Sequence, residues 1–469
     1  MKKLNLVLAL AIGVGIVACN SGSSSSTVSN GWTWIGGSKQ INSNAVLQGA
    51  QAIPGARDLA VSWTDNSGNL WLFGGYGYNA NSESGFLNDL WTYNQQTKIW
   101  RLVESQTVVV NAHGVYGTLG AASDSNYPGG RIGAVSWTDS SGNLWLFGGY
   151  GYAAGYDYGY NGYNPVGTLN DLWKYNISSG QWTWVSGSNH VDSDGVYGVK
   201  KVADSLNTPS ARLGSVGWAD ESGNLWLFGG ADNISTAHDY NDLWKYNVSS
   251  GKWTWVSGES TPDAYGVYGV QQVTNPLNKP GARLDSVGWL DNSGNLWLFG
   301  GNGRDGIGSP IGDLNDLWKY NPSNDTWTWM SGSNMTNKYG IYGQMNVASP
   351  NSIPGAREHR IPLAWSDPST GKFWMLAGDG YGNDSKGILN DLWSFNPVTN
   401  QWTWVNGSIE SNTFSNYGTI GVLSASNQIG ARRDSVGWVQ SNGSVMIFGG
   451  YGNTATQTGL LNDMWQLTY

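Results

Sequence analysis

Residues 209–230 read PSARLGSVGWADESGNLWLFGG, and after a ten-residue loop residues 241–258 read NDLWKYNVSSGKWTWVSG. Four strand signals follow one another in this stretch. The first, strand a, centres on Ser215-Val216-Gly217-Trp218. Strand b is residues 224–228, where Leu225 and Leu227 face one side while Trp226 and Phe228 face the other. Successive side chains of a strand point to opposite faces, so a strand apolar on both faces is covered on both. Strand c follows at residues 243–246, with Trp244 and Tyr246 on one face, and strand d is Trp253-Thr254-Trp255-Val256, with both indoles on one face. Short turns rich in Gly, Asn, Asp and Ser separate a from b and c from d.

The same order occurs six times. An arginine opens each copy, at Arg57, Arg131, Arg212, Arg283, Arg357 and Arg432, at spacings of 71 to 81 residues. A Gly-Gly pair ends strand b in five copies, and Ala377-Gly378 stands there in the fifth. An Asn-Asp pair opens strand c, ending at Asp89, Asp171, Asp242, Asp316, Asp391 and Asp463. A four-stranded antiparallel sheet covered on both faces must lie between like sheets, and a ring of such sheets is a β-propeller. The expected fold is therefore all-β, a six-bladed propeller over residues 31–469. The sixth copy stops at its strand c, Met464 to Tyr469, and lacks a WTWV segment. Trp32-Thr33-Trp34-Ile35 stands at the other end of the chain. The N-terminal strand is thus expected to supply strand d of the last blade and remove its open edge.

The Gly-Gly pair after one strand, the Tyr in the next and the Trp in the last resemble the kelch repeat, over essentially all of residues 30–469. The resemblance implies the propeller fold. It implies little about activity, because kelch propellers include binding modules, adaptors and a few enzymes.

Composition agrees with many short strands. The chain of 469 residues carries 68 Gly, 28 Trp and 24 Tyr, and only 12% charged residues, about half the usual share. The formal net charge of −9, with no basic run, disfavours nucleic acid and anionic membrane surfaces as partners of the folded part. The N-terminus reads as an export signal, residues 1–18: Lys2 and Lys3, then an apolar stretch over residues 4–17. Its end, Ile16-Val17-Ala18-Cys19, resembles the lipobox of bacterial lipoproteins, which implies lipidation of Cys19. Cys19 is also the only cysteine, so it has no disulfide partner. A Ser-rich tether completes residues 19–30. Asn20 implies, by the same resemblance, outer membrane or cell surface.

Antiparallel order places the a–b and c–d turns on one face and the b–c and d–a loops on the other. All loops of the second kind are long, which marks that face as the one for binding. The arginines and the Asn-Asp aspartates open strands at this face. With no side chain on the Gly-Gly pair between them, Arg212 can reach toward Asp242. Six such pairs read first as a structural ladder, and otherwise as a ring of arginines for an acidic ligand. Each Tyr of the Gly-Val-Tyr-Gly motifs in the d–a loops (Tyr116, Tyr197, Tyr268, with Ile for Val at Tyr342) reads as pinning its own loop. Residues 150–163 hold six tyrosines in fourteen positions. In composition they resemble a paratope, which makes Tyr152, Tyr156, Tyr158, Tyr160 and Tyr163 candidates to hold a ligand. A loop packed on itself is the equal alternative.

Catalysis finds less support. The four histidines show no metal-ligand spacing, and Asp157 and Asp305 form no recognisable calcium cage. Copper oxidases of kelch fold use a cysteine-linked tyrosine, for which this chain has no cysteine beyond Cys19. A likeness to kelch sialate epimerases would require acid–base residues. The fifth copy departs most from the others, with Arg357-Glu358-His359-Arg360 at its start and Asp379 after Ala377-Gly378, so Glu358, His359, Arg360 and Asp379 are the candidates there. The leading expectation is a monomeric, non-enzymatic binding or adhesion module of the cell envelope. It would hold a glycan or protein, with no cofactor and no metal, and touch the membrane through its lipid alone. A sugar-active enzyme is the alternative.

Overall fold

The computed structural model describes residues 30–103, 108–155, 166–233, 238–359, 363–440 and 442–469. The leader, Cys19 and the tether up to residue 29 lie outside the described residues, as do Tyr156, Asp157, Tyr158, Tyr160, Tyr163 and Arg360.

Among the described residues the regular elements are all strands. In the third repeat, Val216–Ala219, Asn224–Phe228, Leu243–Asn247 and Lys252–Ser257 pair antiparallel in chain order, as strands a to d. The other repeats have the same order, the first ending in Ile99–Leu102 as its strand d. Strand b is buried throughout, as its two apolar faces require. The a–b turn is tied down by one carboxylate. Asp220 Oδ1 accepts the N–H groups of Ser222 and Asn224, and Oδ2 accepts the indole N–H of Trp226 at 2.7 Å. Asp65, Asp139 and Asp291 do the same for Trp71, Trp145 and Trp297.

The Gly-Gly pair divides each repeat into two levels. Gly229 and Gly230 have φ of +64° and +93°, and a Cβ on Gly230 would meet Ser215. Only glycine adopts such a pair without strain. Ala377 takes the same left-handed turn at φ +65°. Beyond the kink the chain continues as a second hairpin, flanked by the short strand that holds the repeat's arginine. In the second repeat Arg131–Ile132 pairs with Leu144–Tyr152, which pairs with Val166–Asn176. These upper sheets form the long-loop side.

Consecutive sheets pack with their a strands side by side. The a strand of the first repeat lies against those of the second and the sixth. The indole N–H of Trp63 donates to the carbonyl of Trp145, that of Trp289 to Trp374, and that of Trp438 to Trp71. Ser62, Ser136, Gly217, Gly288, Ala364 and Gly437, one from each a strand, line a cavity of about 250 Å³. Such small side chains suit converging strands. The N-terminal strand Gly31–Gly36 pairs antiparallel with Thr458–Thr468, setting Trp32 against Leu467 and Trp34 against Trp465. Trp32 is buried, edge-on to Trp465 at 6.5 Å. The whole is an all-β chain of repeated antiparallel four-stranded sheets, consistent with a β-propeller.

The length of the d–a loops has a different cause from the one expected. In repeats two to six the loop entering the repeat doubles back and lies along the outer strand d of that repeat. Gly120 N–H donates to the carbonyl of Trp184, Lys201 to Trp255, Gln272 to Trp329, Asn346 to Trp404 and Gly421 to Trp34. In the second repeat the contact is regular enough to make a strand, Ala122–Ser123 beside Trp182 and Thr183. These loops cover sheet edges, which otherwise present unpaired N–H and C=O groups. Their length is therefore no evidence of binding.

Candidate functional site

The arginines and the Asn-Asp aspartates are brought together in all six repeats. Arg212 Nη1 donates to Asp242 Oδ1 at 2.7 Å and Nη2 to Asp242 Oδ2 at 2.9 Å, while Nη1 also reaches the carbonyl of Gly229. The other five pairs repeat this with N–O distances of 2.6–2.9 Å. The indole two residues after each aspartate donates to the same Oδ2. A tyrosine from the d–a loop completes the set in five repeats. Tyr116, Tyr197, Tyr268, Tyr342 and Tyr417 donate to Asp171, Asp242, Asp316, Asp391 and Asp463 at 2.5–2.8 Å. So each tyrosine ties its loop to the charged pair of the repeat ahead. Tyr417 belongs to the set although its local sequence is Asn-Tyr-Gly.

The electrostatics follow from burial. Desolvation opposes ionisation of Asp391, yet Arg357 and the donors around it hold its carboxyl below the ordinary value. Burial and Asp242 push the Tyr197 hydroxyl well up, so it stays a donor. The six guanidiniums are at most 1% exposed, so the arginine ring has no access to an acidic ligand.

Above these pairs, the residue two after each arginine forms the mouth of the a strands. Its N–H groups and carbonyls bond from repeat to repeat: Leu59 to Asp434, Gly133 to Leu59, Gly214 to Gly133, Asp285 to Gly214 and His359 to Asp285. Leu59, Asp285 and Asp434 hold left-handed φ of +56° to +60° here. His359 is 3% exposed, and its ring occupies the space that a side chain on Gly378 would need. Burial and then Arg357 push its pKa down to about 3, so it is neutral at physiological pH.

The upper sheets present cross-strand rows beside this mouth, one row per repeat. Two neighbouring rows are aromatic. Asp58, Tyr76 and Phe86 are in register in the first repeat, and Ile132, Tyr150 and Thr168 in the second. Phe86 lies 5.8 Å from Tyr76 and 5.9 Å from both Tyr150 and Tyr152, and His113 lies 5.1 Å from Tyr152. Tyr76 is 38% exposed. Two other rows are charged: Glu358, Asp379 and Ile388 in the fifth repeat, and Arg433, Tyr451 and Leu460 in the sixth. Arg433 bonds Asp379 at 3.1 Å and covers Tyr451 at 5.2 Å. Rings of this kind offer apolar faces, and the carboxylates and the guanidinium offer directional polar contacts. Together they suit a ligand that has both.

The sequence-predicted residues divide as follows. Tyr152 is half-buried in the aromatic group. The rest of the tyrosine run lies outside the described residues. Glu358 and Asp379 are opposite one another in register, whereas His359 is buried beneath them, and Asp379 is held by Arg433. Asp305 closes its own turn by accepting from the N–H groups of Ile307, Gly308 and Ser309. Tyr76, Phe86 and Arg433 were missed, and Tyr150 stood only as the first residue of the tyrosine run. The signal for them was internal: the residue after each constant arginine, and the residue after each kink, vary from repeat to repeat (Asp58, Ile132, Leu213, Leu284, Glu358 and Arg433 at the first). No family model matches the chain.

Proposed function

We propose that the chain is a six-bladed β-propeller of kelch type. The pairing of the N-terminal strand with the last repeat supports ring closure within the sixth blade. We propose further that it is exported, anchored through a lipid on Cys19, and works as a non-enzymatic binding module of the bacterial envelope. Its ligand is a glycan or a protein segment held on the long-loop rim. The observation that carries this reading is the rim itself, where Tyr76, Phe86, Tyr150 and Tyr152 stand together and Glu358, Asp379 and Arg433 lie on other blades beside the same mouth. Pyranose rings stack on aromatic faces while their hydroxyls take polar contacts, so the glycan is favoured. The alternative of a sugar-active enzyme through Glu358, His359, Arg360 and Asp379 is weakened by the burial of His359 and the engagement of Asp379.

The test is a glycan and peptide array probed with residues 30–469. For a ligand so found, Tyr76→Ala with Tyr150→Ala is expected to weaken binding at least about tenfold, or 1.4 kcal/mol, without changing the melt. Binding untouched by this double variant would remove the rim as the site.

A further inference from the structure

Five of the six outer strands are covered by the loop that enters their repeat, and among the described residues the first is not. In repeats two to six the base of that loop closes with bridges between residues 12 positions apart, Val115 to Tyr127, Val196 to Thr208, Val267 to Lys279, Ile341 to Ile353 and Asn416 to Gln428. In the first repeat the bridge joins Val46 to Ile53, only 7 apart. The shortened loop turns at Gly49–Ala52 and makes no hydrogen bond to Ile99–Leu102 among the described residues. By register with Trp182 and Trp184, or Trp253 and Trp255, the outer backbone groups without a partner among the described residues are those of Trp100 and Leu102.

Side chains change at the same place. The outward central position of strand d is a threonine in the other five repeats, buried at Thr33, Thr183, Thr254 and Thr328 and part-buried at Thr403. In the first repeat it is Arg101, exposed, beside an exposed Ile99 and Lys98. Arg101 has no acidic partner among the described residues. A second copy pairing here antiparallel would bring the Lys98 and Arg101 charges of both chains together on one short strand, where like charges destabilise.

We propose that the outer strand of the first repeat is a docking edge for an extended acidic segment of another protein, which adds to the sheet as the loops do elsewhere in this chain. The backbone groups of Trp100 and Leu102 take its main chain, Arg101 takes a carboxylate, and Ile99 takes an apolar neighbour. Charged residues on a bare edge guard against indiscriminate pairing, and here they also select the sign of the partner.

The experiment measures fluorescence anisotropy of two labelled peptides, alternating Thr-Glu and alternating Thr-Lys, with residues 30–469. The Thr-Glu peptide is expected to bind at least tenfold more tightly, and to lose this binding when every second amide is N-methylated. Arg101→Thr should reduce the preference and Arg101→Glu reverse it. Replacing residues 46–53 by residues 196–208 should cover the edge and abolish binding, with an unchanged melt showing that the fold survives. Equal binding of both peptides, no binding of either, or binding that persists in the loop graft would overturn the proposal. So would sedimentation as a dimer that the loop graft dissociates, which would assign the edge to a second copy.

Discussion

At the scale of single residues, the buried charges carry the most easily tested consequences. Each arginine–aspartate pair is desolvated and bidentate, and removing one partner leaves the other charge unpaired. Such losses cost about 3–5 kcal/mol. Arg212→Ala and Asp242→Ala are both expected to fall in this range by denaturant melting. Tyr197→Phe deletes one hydrogen bond to a carboxylate and should cost about 1.5–3 kcal/mol. Asp239 gives the opposite sign. It is fully buried, and neither carboxylate oxygen has a hydrogen-bond partner among the described residues. Desolvation, then Asp263, raises its pKa from 3.8 to about 7. The folded state therefore binds a proton that the unfolded state has lost between these values, and stability falls as pH rises through that window. Asp239→Asn should stabilise at pH 8 relative to the parent, and have little such effect at pH 3.5. His359, with its pKa lowered from 6.5 to about 3, behaves in the reverse way. The unfolded state gains the proton first, so stability falls as pH drops below 6.5. His359→Gln should remove about 1.4 kcal/mol per pH unit of that slope between pH 6 and 3.5. An unchanged slope would mean the imidazole protonates in place.

Among elements, the N-terminal strand and the covering loops act alike, since both remove sheet edges. Trp32 occupies the position that Trp253 has in the third repeat, and both are 1% exposed. Trp32→Ala should therefore cost about 3–5 kcal/mol, as a buried Trp does, with a comparable loss for Trp253→Ala. A much smaller effect at Trp32 would mean that the strand adds little beyond its hydrogen bonds. The covering loops are anchored at both ends, by the tyrosine on the buried aspartate and by N–H donation to strand d. The first repeat has Leu47 near the tyrosine position and a loop too short to reach its edge. The two losses occur in one loop, which is why, among the described residues, no loop bonds to that strand.

For the whole molecule, the tests concern address and use. Cys19→Ser is expected to release the protein from the membrane fraction of a bacterial host. Unchanged fractionation would remove the lipid anchor from the proposal. The rim and the outer edge of the first repeat are separate surfaces. A rim ligand should bind the Arg101→Thr variant normally, and an acidic peptide should bind the Tyr76→Ala, Tyr150→Ala variant normally.

Six copies of one unit made the order of strands legible, because a strand apolar on both faces, followed by a Gly-Gly kink, permits few arrangements. The pairing of arginine with aspartate was legible for the same reason: both open strands on either side of a position without side chains. The tertiary structure decided what each loop does. Gly-Val-Tyr-Gly shows a tyrosine but not that its hydroxyl meets an aspartate 45 to 55 residues onward. Loop length shows reach but not direction, and the direction proved to be back along strand d. The aromatic and charged rows of the rim were invisible for a related reason. They join residues of different strands and different repeats, and only the kink and the packing of neighbouring sheets bring those residues to one face.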